Sequence, residues 1–136
     1  MFWLSHHHDD ELHRTYALGG ARVCARCLGV YPVMFAGIAL QIAQRAPLQW
    51  PGSWDVVVAI GLLLPALIDW AVGRFRPHWG GNAVRTVTGV LLGVALARTL
   101  YVHLRDPLPP LLLAQAGLVL LVALPVLGVT WRRRTR

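Results

Sequence analysis

The chain has no lysine, so all thirteen of its basic residues are arginine, and only six residues are acidic. It also lacks a Walker loop, a His-Glu-x-x-His motif, a dinucleotide-binding glycine fingerprint and a Ser-His-Asp order. The sequence therefore holds no complete catalytic set of these kinds, and it leaves open whether any reaction is catalysed. Charged residues make up only 14% of the chain, hydrophobic residues 56%, and the mean hydropathy is +0.53. This balance excludes an ordinary soluble domain and indicates a membrane protein.

Four apolar stretches account for most of this hydropathy. Three are of full spanning length, and the first reaches the lower limit of about 17 residues. They cover residues 28–46, 53–73, 83–104 and 111–131, between a Cys/His-containing segment (1–27) and a basic tail (132–136). The sequence predicts one all-α membrane domain over residues 1–136, a four-helix transmembrane bundle with a short N-terminal interfacial segment.

The arginines are distributed unevenly between the two sides of such a bundle. With four spans, both termini and the loop between the second and third spans share one side, which carries ten arginines, against two or three on the other. The positive-inside rule then places both termini in the cytoplasm, which predicts the inner membrane of a prokaryote. Membrane orientation explains the high charge, so we expect no nucleic-acid partner. Arg98, near the outer end of the third span, is expected to snorkel to the surface.

The chain's two cysteines, Cys24 and Cys27, form a Cys-x-x-Cys pair just before the first span. A permanent disulfide is not expected in a reducing compartment, so the pair favours metal binding or transient redox chemistry. Two upstream histidines would complete a Cys₂His₂ set suited to one zinc or iron ion. The candidates are His6, His7, His8 and His13. The alternative is that the histidines form a solvated tail and that the cysteines are two small interior residues.

The segment before the cysteines contains the histidines of the predicted Cys₂His₂ set. A helix over residues 5–14 would place His6, Asp10 and His13 on one face. The Gly19-Gly20 pair then breaks the chain, so the cysteines are expected in a turn or in the first turn of a helix.

Asp69 lies inside the second apolar stretch, within a turn of its inner end. A carboxylate at that depth costs several kcal/mol unless it is paired or hydrated. The cations available at this depth are Arg74 and Arg85, so we expect Asp69 to face the bundle within reach of one of them and near the cysteines. An interfacial ion pair without a function is the alternative.

The loop that follows Asp69 adds groups that bind anions. Asn82 is the predicted N-cap of the third span, and a helix N-terminus beside arginines suits a phosphate or a lipid headgroup. Membrane orientation alone would also predict most of these charges. The candidate polar or anion-binding floor comprises Asp69, Arg74, Arg85, Asn82 and Arg14.

Small residues form a stripe on the third span, where Gly89, Gly93 and Ala97 recur at intervals of four. This spacing favours close helix packing within the bundle, with homodimerisation as the alternative. The fourth stretch is polar only at Gln115 and Thr130 and is predicted to be a lipid-facing scaffold.

Several of these motifs resemble a known signature. Ser5-His6, Arg14-Thr15-Tyr16 and the run Val23-Cys-Ala-Arg-Cys-Leu-Gly-Val-Tyr31 resemble those of a family of small prokaryotic membrane proteins, the domain of unknown function 2085. Pro65 with Asp69, and Arg85 followed by Thr88-Gly89 and Gly93, match its later motifs. Ser5 stands where that family usually has its first cysteine, so a neighbouring histidine would have to replace any metal ligand there. The resemblance implies a membrane protein but brings no activity with it.

Two classes of function follow from the sequence. The first is a membrane protein with a Cys/His metal or redox site on the cytoplasmic face, above the polar floor. The second is an accessory subunit of a larger membrane complex, or a protein that binds lipid headgroups. Both lie in a lipid bilayer, and a homo-oligomer is compatible with either.

Overall fold

The computed structural model describes residues 9–51, 53–76 and 78–134. Within these residues, four helices are long and apolar enough to cross a membrane. They are α1 (Ala25–Ala43), α2 (Trp54–Phe75), α3 (Asn82–Arg105) and α4 (Pro110–Arg134). The predicted all-α, four-span architecture is confirmed, although α1 begins and ends three residues earlier than predicted.

A small β-hairpin precedes α1. After a 3₁₀ helix (Asp9–Arg14), β1 (Thr15–Leu18) pairs antiparallel with β2 (Ala21–Cys24). Gly19 and Gly20 have φ angles of 54° and 82°, which a two-residue hairpin turn requires and glycine adopts without strain. The Gly-Gly pair is thus the tip of a hairpin rather than a simple break. The predicted helix over residues 5–14 is replaced by the 3₁₀ helix where the chain is described, and residues 5–8 lie outside the described part.

The glycine stripe of α3 packs directly against the backbone of α1. A Cβ atom added to Gly93 would lie 2.7 Å from the carbonyl oxygen of Val30, and one added to Gly89 would lie 2.5 Å from that of Arg26. From the other side, a Cβ on Gly29 would lie 2.5 Å from the carbonyl oxygen of Thr86. The predicted use of the stripe in packing within the bundle is confirmed, because only glycine permits this approach at these positions.

Side-chain hydrogen bonds to backbone carbonyls reinforce the α1–α3 contact along its length. Thr86 Oγ1 donates to the carbonyl of Ala25 (3.1 Å), and Gln41 Nε2 donates to that of Ala97 (3.2 Å). Such bonds remain strong in a bilayer because water does not compete for the donors and acceptors.

The fourth helix lies at the periphery of the bundle, with most of its surface exposed. One polar side chain on it corrects the expectation of a plain scaffold. Gln115 is buried and donates from Nε2 to the carbonyl of Ala59 (2.6 Å), which lies in a π-helical turn of α2 (Val57–Gly61). This bond joins α4 to α2.

Arg98 closes the end of the bundle opposite the hairpin, and it does not snorkel. Its side chain is 1% exposed, and its Nε donates to Asp55 Oδ1 at 2.6 Å. Its Nη2 donates to the carbonyl of Leu48 (3.0 Å), its Nη1 donates to Gln41 Oε1 (3.3 Å), and its guanidinium lies 4.2 Å from the Trp50 ring centroid. Pairing inside the protein replaces snorkelling because Asp55 on the neighbouring helix supplies the counter-charge.

The glycine contact gives a stability prediction. Gly93→Ala should lower the free energy of unfolding by about 1–3 kcal/mol, because its Cβ cannot fit against the Val30 carbonyl without displacing α1. Gly117→Ala is the matched control on α4, where a Cβ meets no atom within 4 Å, and its higher helix propensity should leave stability unchanged or raise it by up to about 1 kcal/mol. Thermal unfolding in detergent, followed by circular dichroism, measures both. Equal midpoints for the two variants would contradict the close approach.

The Arg98 pair gives a second stability prediction. Asp55→Asn should destabilise the protein by about 3 kcal/mol, because it leaves the buried guanidinium without its counter-charge. Asp55→Asn/Arg98→Gln should recover part of that loss. Asp106→Asn, an exposed acid just beyond α3, is the control and should leave the unfolding midpoint unchanged. If Asp55→Asn behaves like Asp106→Asn, the ion pair contributes no stability.

Candidate functional site

A cluster of charged side chains lies where the hairpin, the start of α1, the second half of α2 and the start of α3 meet. We call it the arginine–aspartate cluster. Four of the five residues predicted as a polar floor belong to it, together with one that was not predicted. Its members are Arg14, Arg26, Asp69, Asn82 and Arg85.

The centre of the cluster is an ion pair between Arg26 on α1 and Asp69 on α2. Nη2 of Arg26 donates to Oδ2 of Asp69, whose side chain is 5% exposed. The partner of Asp69 is therefore Arg26 rather than Arg85 or Arg74. Arg26 stands between the two cysteines in the sequence, so Asp69 lies near the cysteine turn as expected, and it is within reach of Arg85 although it forms its ion pair with Arg26.

The loop between α2 and α3 folds over the other oxygen of Asp69. A Cβ on Gly80 would lie 3.1 Å from Oδ1 of Asp69, and Gly80 adopts a positive φ of 70° that allows the close turn. This Oδ1 is buried and has no hydrogen-bond partner among the described residues. A buried carboxylate oxygen normally has one, so Asp69 retains the capacity to accept a further hydrogen bond.

Arg85 is a second cation of the cluster, and unlike Arg26 it is buried. It is 6% exposed, and its Nη2 donates to the backbone carbonyl of Trp79 at 2.9 Å. The charges of Arg14, Arg26 and Asp69 all lie near enough to act on it. Within the described part of the chain, Arg85 forms no ion pair with a carboxylate of its own.

Asn82 fixes the hairpin over the cluster rather than capping α3. The N-cap is Gly81, and Asn82 is the first helical residue. Its Nδ2 donates to the carbonyl of Thr15 on β1 (3.1 Å), and its Oδ1 is buried without a partner among the described residues. The sequence prediction was wrong because glycine took the capping position and left the amide free to bind the hairpin.

The cysteines lie beside the cluster. Cys24 is buried at the N-cap of α1, and Cys27 is partly exposed in its first turn. No group of three or more His, Cys, Asp or Glu side chains that could hold a metal occurs among the described residues. His13 is exposed, with its ring centroid 5.8 Å from that of His78. His6, His7 and His8 lie outside the described residues, so the proposed Cys/His set stays a prediction.

Arg74 lies apart from the cluster. Its guanidinium stands over the Trp70 ring, 5.5 Å from the centroid, and it borders a surface pocket with Phe75 and Arg133. Sequence reasoning placed Arg74 in the floor because it follows Asp69 closely, but its guanidinium is directed towards the aromatic ring instead.

Arg26 is the member of the cluster that sequence reasoning missed. Its charge was counted only towards membrane orientation. The sequence did contain a signal for this pair. Arg26 lies at the start of the first span and Asp69 near the end of the second, so both lie near the same side of the membrane. Equal depth on neighbouring spans indicates a possible pair, but only the packing of the helices selects it.

Comparison with known proteins agrees with this architecture. Residues 9–99 match the model of a family described as "Predicted membrane protein (DUF2085)". No curated protein and no solved structure gives a significant match. The matched residues include the hairpin, α1, α2 and most of α3, and therefore the whole arginine–aspartate cluster. The chain thus belongs to the DUF2085 family of predicted membrane proteins.

Proposed function

We propose that this membrane protein binds an anionic group, a phosphate or a carboxylate, in the arginine–aspartate cluster. The observation that carries the proposal is Arg85, a guanidinium that is 6% exposed and whose described partner is one backbone carbonyl. The family is described as a predicted membrane protein, and that description names no ligand. The ligand class is therefore inferred from the chemistry of these side chains alone.

The charge balance of the cluster supports an anion. Arg26 and Arg85 carry two positive charges, and Asp69 supplies one negative charge, so one positive charge is in excess among the side chains that the structure describes, even when Arg14 is left out. A buried charge without a counter-charge costs several kcal/mol. An anion would offset that cost and could accept paired hydrogen bonds from the planar guanidinium, which fits phosphate and carboxylate oxygens.

The side of the membrane supports the same ligand class. Under the positive-inside rule, the arginine distribution supports a location of the cluster at the cytoplasmic face of the inner membrane of a prokaryote. Anionic lipid headgroups and small phosphorylated solutes both reach that face. The proposal therefore names the charged group, which both sources share.

The test is phosphate-dependent stability at constant ionic strength, with chloride replacing phosphate in the reference. Phosphate at ten times its Kd should stabilise the wild-type protein by about 1.4 kcal/mol in an uncharged detergent. Arg85→Gln should abolish this response, yet be at least as stable as the wild type without phosphate, because it removes the unpaired buried charge. Arg76→Gln, which changes an exposed arginine of the loop before α3, is the matched control and should keep the full response. An equal response from Arg85→Gln and wild type would overturn the proposal.

A second candidate function is the Cys/His metal site. The position of Cys24 and Cys27 three residues apart at the start of a helix supports it, since the Cys-x-x-Cys spacing allows two thiolates to bind one metal ion. Completion of the set would require histidines such as His6, His7 or His13. The ion would be zinc or iron, held beside the arginine–aspartate cluster.

Metal content tests this second candidate. Protein purified without chelators should contain about one zinc or iron per chain, and Cys24→Ser/Cys27→Ser should contain none. His103→Ala, at the far end of α3, is the control and should retain the metal. If the purified wild-type protein contains no metal, the metal-site proposal is wrong. Maleimide labelling tests the orientation separately: reaction of Cys27 from the outer face would overturn the cytoplasmic location of the cysteines.

A further inference from the structure

An apolar groove adjoins the arginine–aspartate cluster on its membrane side. It has a volume of about 370 Å³ and lies between α2, α3 and α4. Its walls are apolar side chains such as Leu63, Trp70, Leu96 and Val119, and Arg26 is the one charged residue among the described residues that line it. The volume is in the range of a site for a single small ligand.

The groove has a polar end and an apolar end. Arg26 lies in the first turn of α1 and Trp70 lies near the end of α2, so both mark the membrane–water boundary. Leu63 lies roughly 10 Å further along α2 at 1.5 Å per residue, towards the middle of the span. Leu96 lies in the central part of α3. The groove therefore runs from the interface into the hydrocarbon region.

The cationic end is accessible at the surface. The side chain of Arg26 is 24% exposed, and only its Nη2 is engaged by Asp69. Beyond the Trp70 ring, the guanidinium of Arg74 extends the positive surface outwards. A ligand in the groove would thus meet apolar walls at one end and positive charge at the other.

We infer that this groove binds one acyl chain of an anionic phospholipid, with the lipid phosphate at Arg26. Charge complementarity selects this occupant, because the described charges of Arg26, Arg85 and Asp69 leave one positive charge in excess, which matches one phosphate, and the walls below match a hydrocarbon chain. The inference rests on the proposed function, since it assigns the anion of the arginine–aspartate cluster to a lipid rather than to a free solute. The residue that ties the two sites together is Arg26, which belongs to both.

The inference is tested with phosphatidylglycerol added to delipidated protein in an uncharged detergent, and with native mass spectrometry as the readout. Wild-type protein should retain one phosphatidylglycerol per chain, at least tenfold more tightly than phosphatidylcholine. Ala123→Phe, which fills the groove from α4, should weaken retention at least tenfold. Ala116→Phe adds the same ring at an exposed position of the same helix and should retain the lipid as the wild type does.

A second measurement separates this inference from the proposed function. Ala123→Phe leaves the arginine–aspartate cluster unchanged, so it should keep the full stabilisation by inorganic phosphate, which also shows that the variant is folded. Should it fail to fold, Val119→Phe blocks the same groove and replaces it in both measurements.

Three results would overturn the lipid inference. The groove-filling variant could retain phosphatidylglycerol as the wild type does, or the wild type could retain phosphatidylcholine equally well. The native mass could also show a second protein chain, which would occupy this face in place of the lipid. A free solute is the ligand if phosphate stabilises the wild type but phosphatidylglycerol is not retained. If phosphate has no effect, and Arg85→Gln retains the lipid through the groove as the wild type does, the anion site at Arg85 fails and the groove remains a lipid site.

Discussion

The close approach of α1 to α3 is the contact on which the other interactions of the bundle depend. In a bilayer, apolar side chains gain nothing by leaving lipid for one another, so association rests on backbone proximity and hydrogen bonds. Gly89 and Gly93 provide that proximity, since any larger residue would meet the carbonyl oxygens of Arg26 and Val30. The contact also fixes the depth of Arg26, whose side chain pairs with Asp69 on α2. One packing constraint thus positions the ion pair of the candidate site.

The bundle contains a buried arginine near each end, and the two ends differ in how completely the charge is satisfied. Arg98 has Asp55, Gln41 and the carbonyl of Leu48 around its guanidinium, so its charge and its donors are occupied by the protein. Arg85 has one backbone carbonyl, and the nearby carboxylate of Asp69 is already held by Arg26. A fully satisfied ion pair stabilises the fold, whereas an unsatisfied buried cation indicates a place for a ligand. This contrast is why the proposed anion site lies at the end beneath the hairpin.

Much of the fold followed from the sequence, because spanning helices are encoded locally. The length of each apolar run and its two ends predict the length and ends of one spanning helix. Four such runs therefore predict an all-α membrane bundle without knowledge of how the helices pack. The hairpin was missed for the opposite reason: β1 and β2 are four residues each, and their pairing depends on the two positive φ angles at Gly19 and Gly20. A Gly-Gly pair predicts a break in the chain equally well, so the sequence did not choose between a break and a turn.

The candidate site was likewise predictable from the sequence only in part. Asp69, Asn82 and Arg85 could be identified from the sequence, because a charged or amide side chain at the depth of a span boundary requires a partner. The identity of each partner was not encoded in that way. Arg26 rather than Arg85 holds Asp69, Asn82 binds Thr15 of the hairpin, and Arg98 turns inwards to Asp55. The sequence by itself determined the four spans, the small-residue stripe and the need for counter-charges. Only the tertiary structure decided which charges meet, because hydropathy sets how deep a residue lies but helix rotation and packing set the direction in which its side chain points.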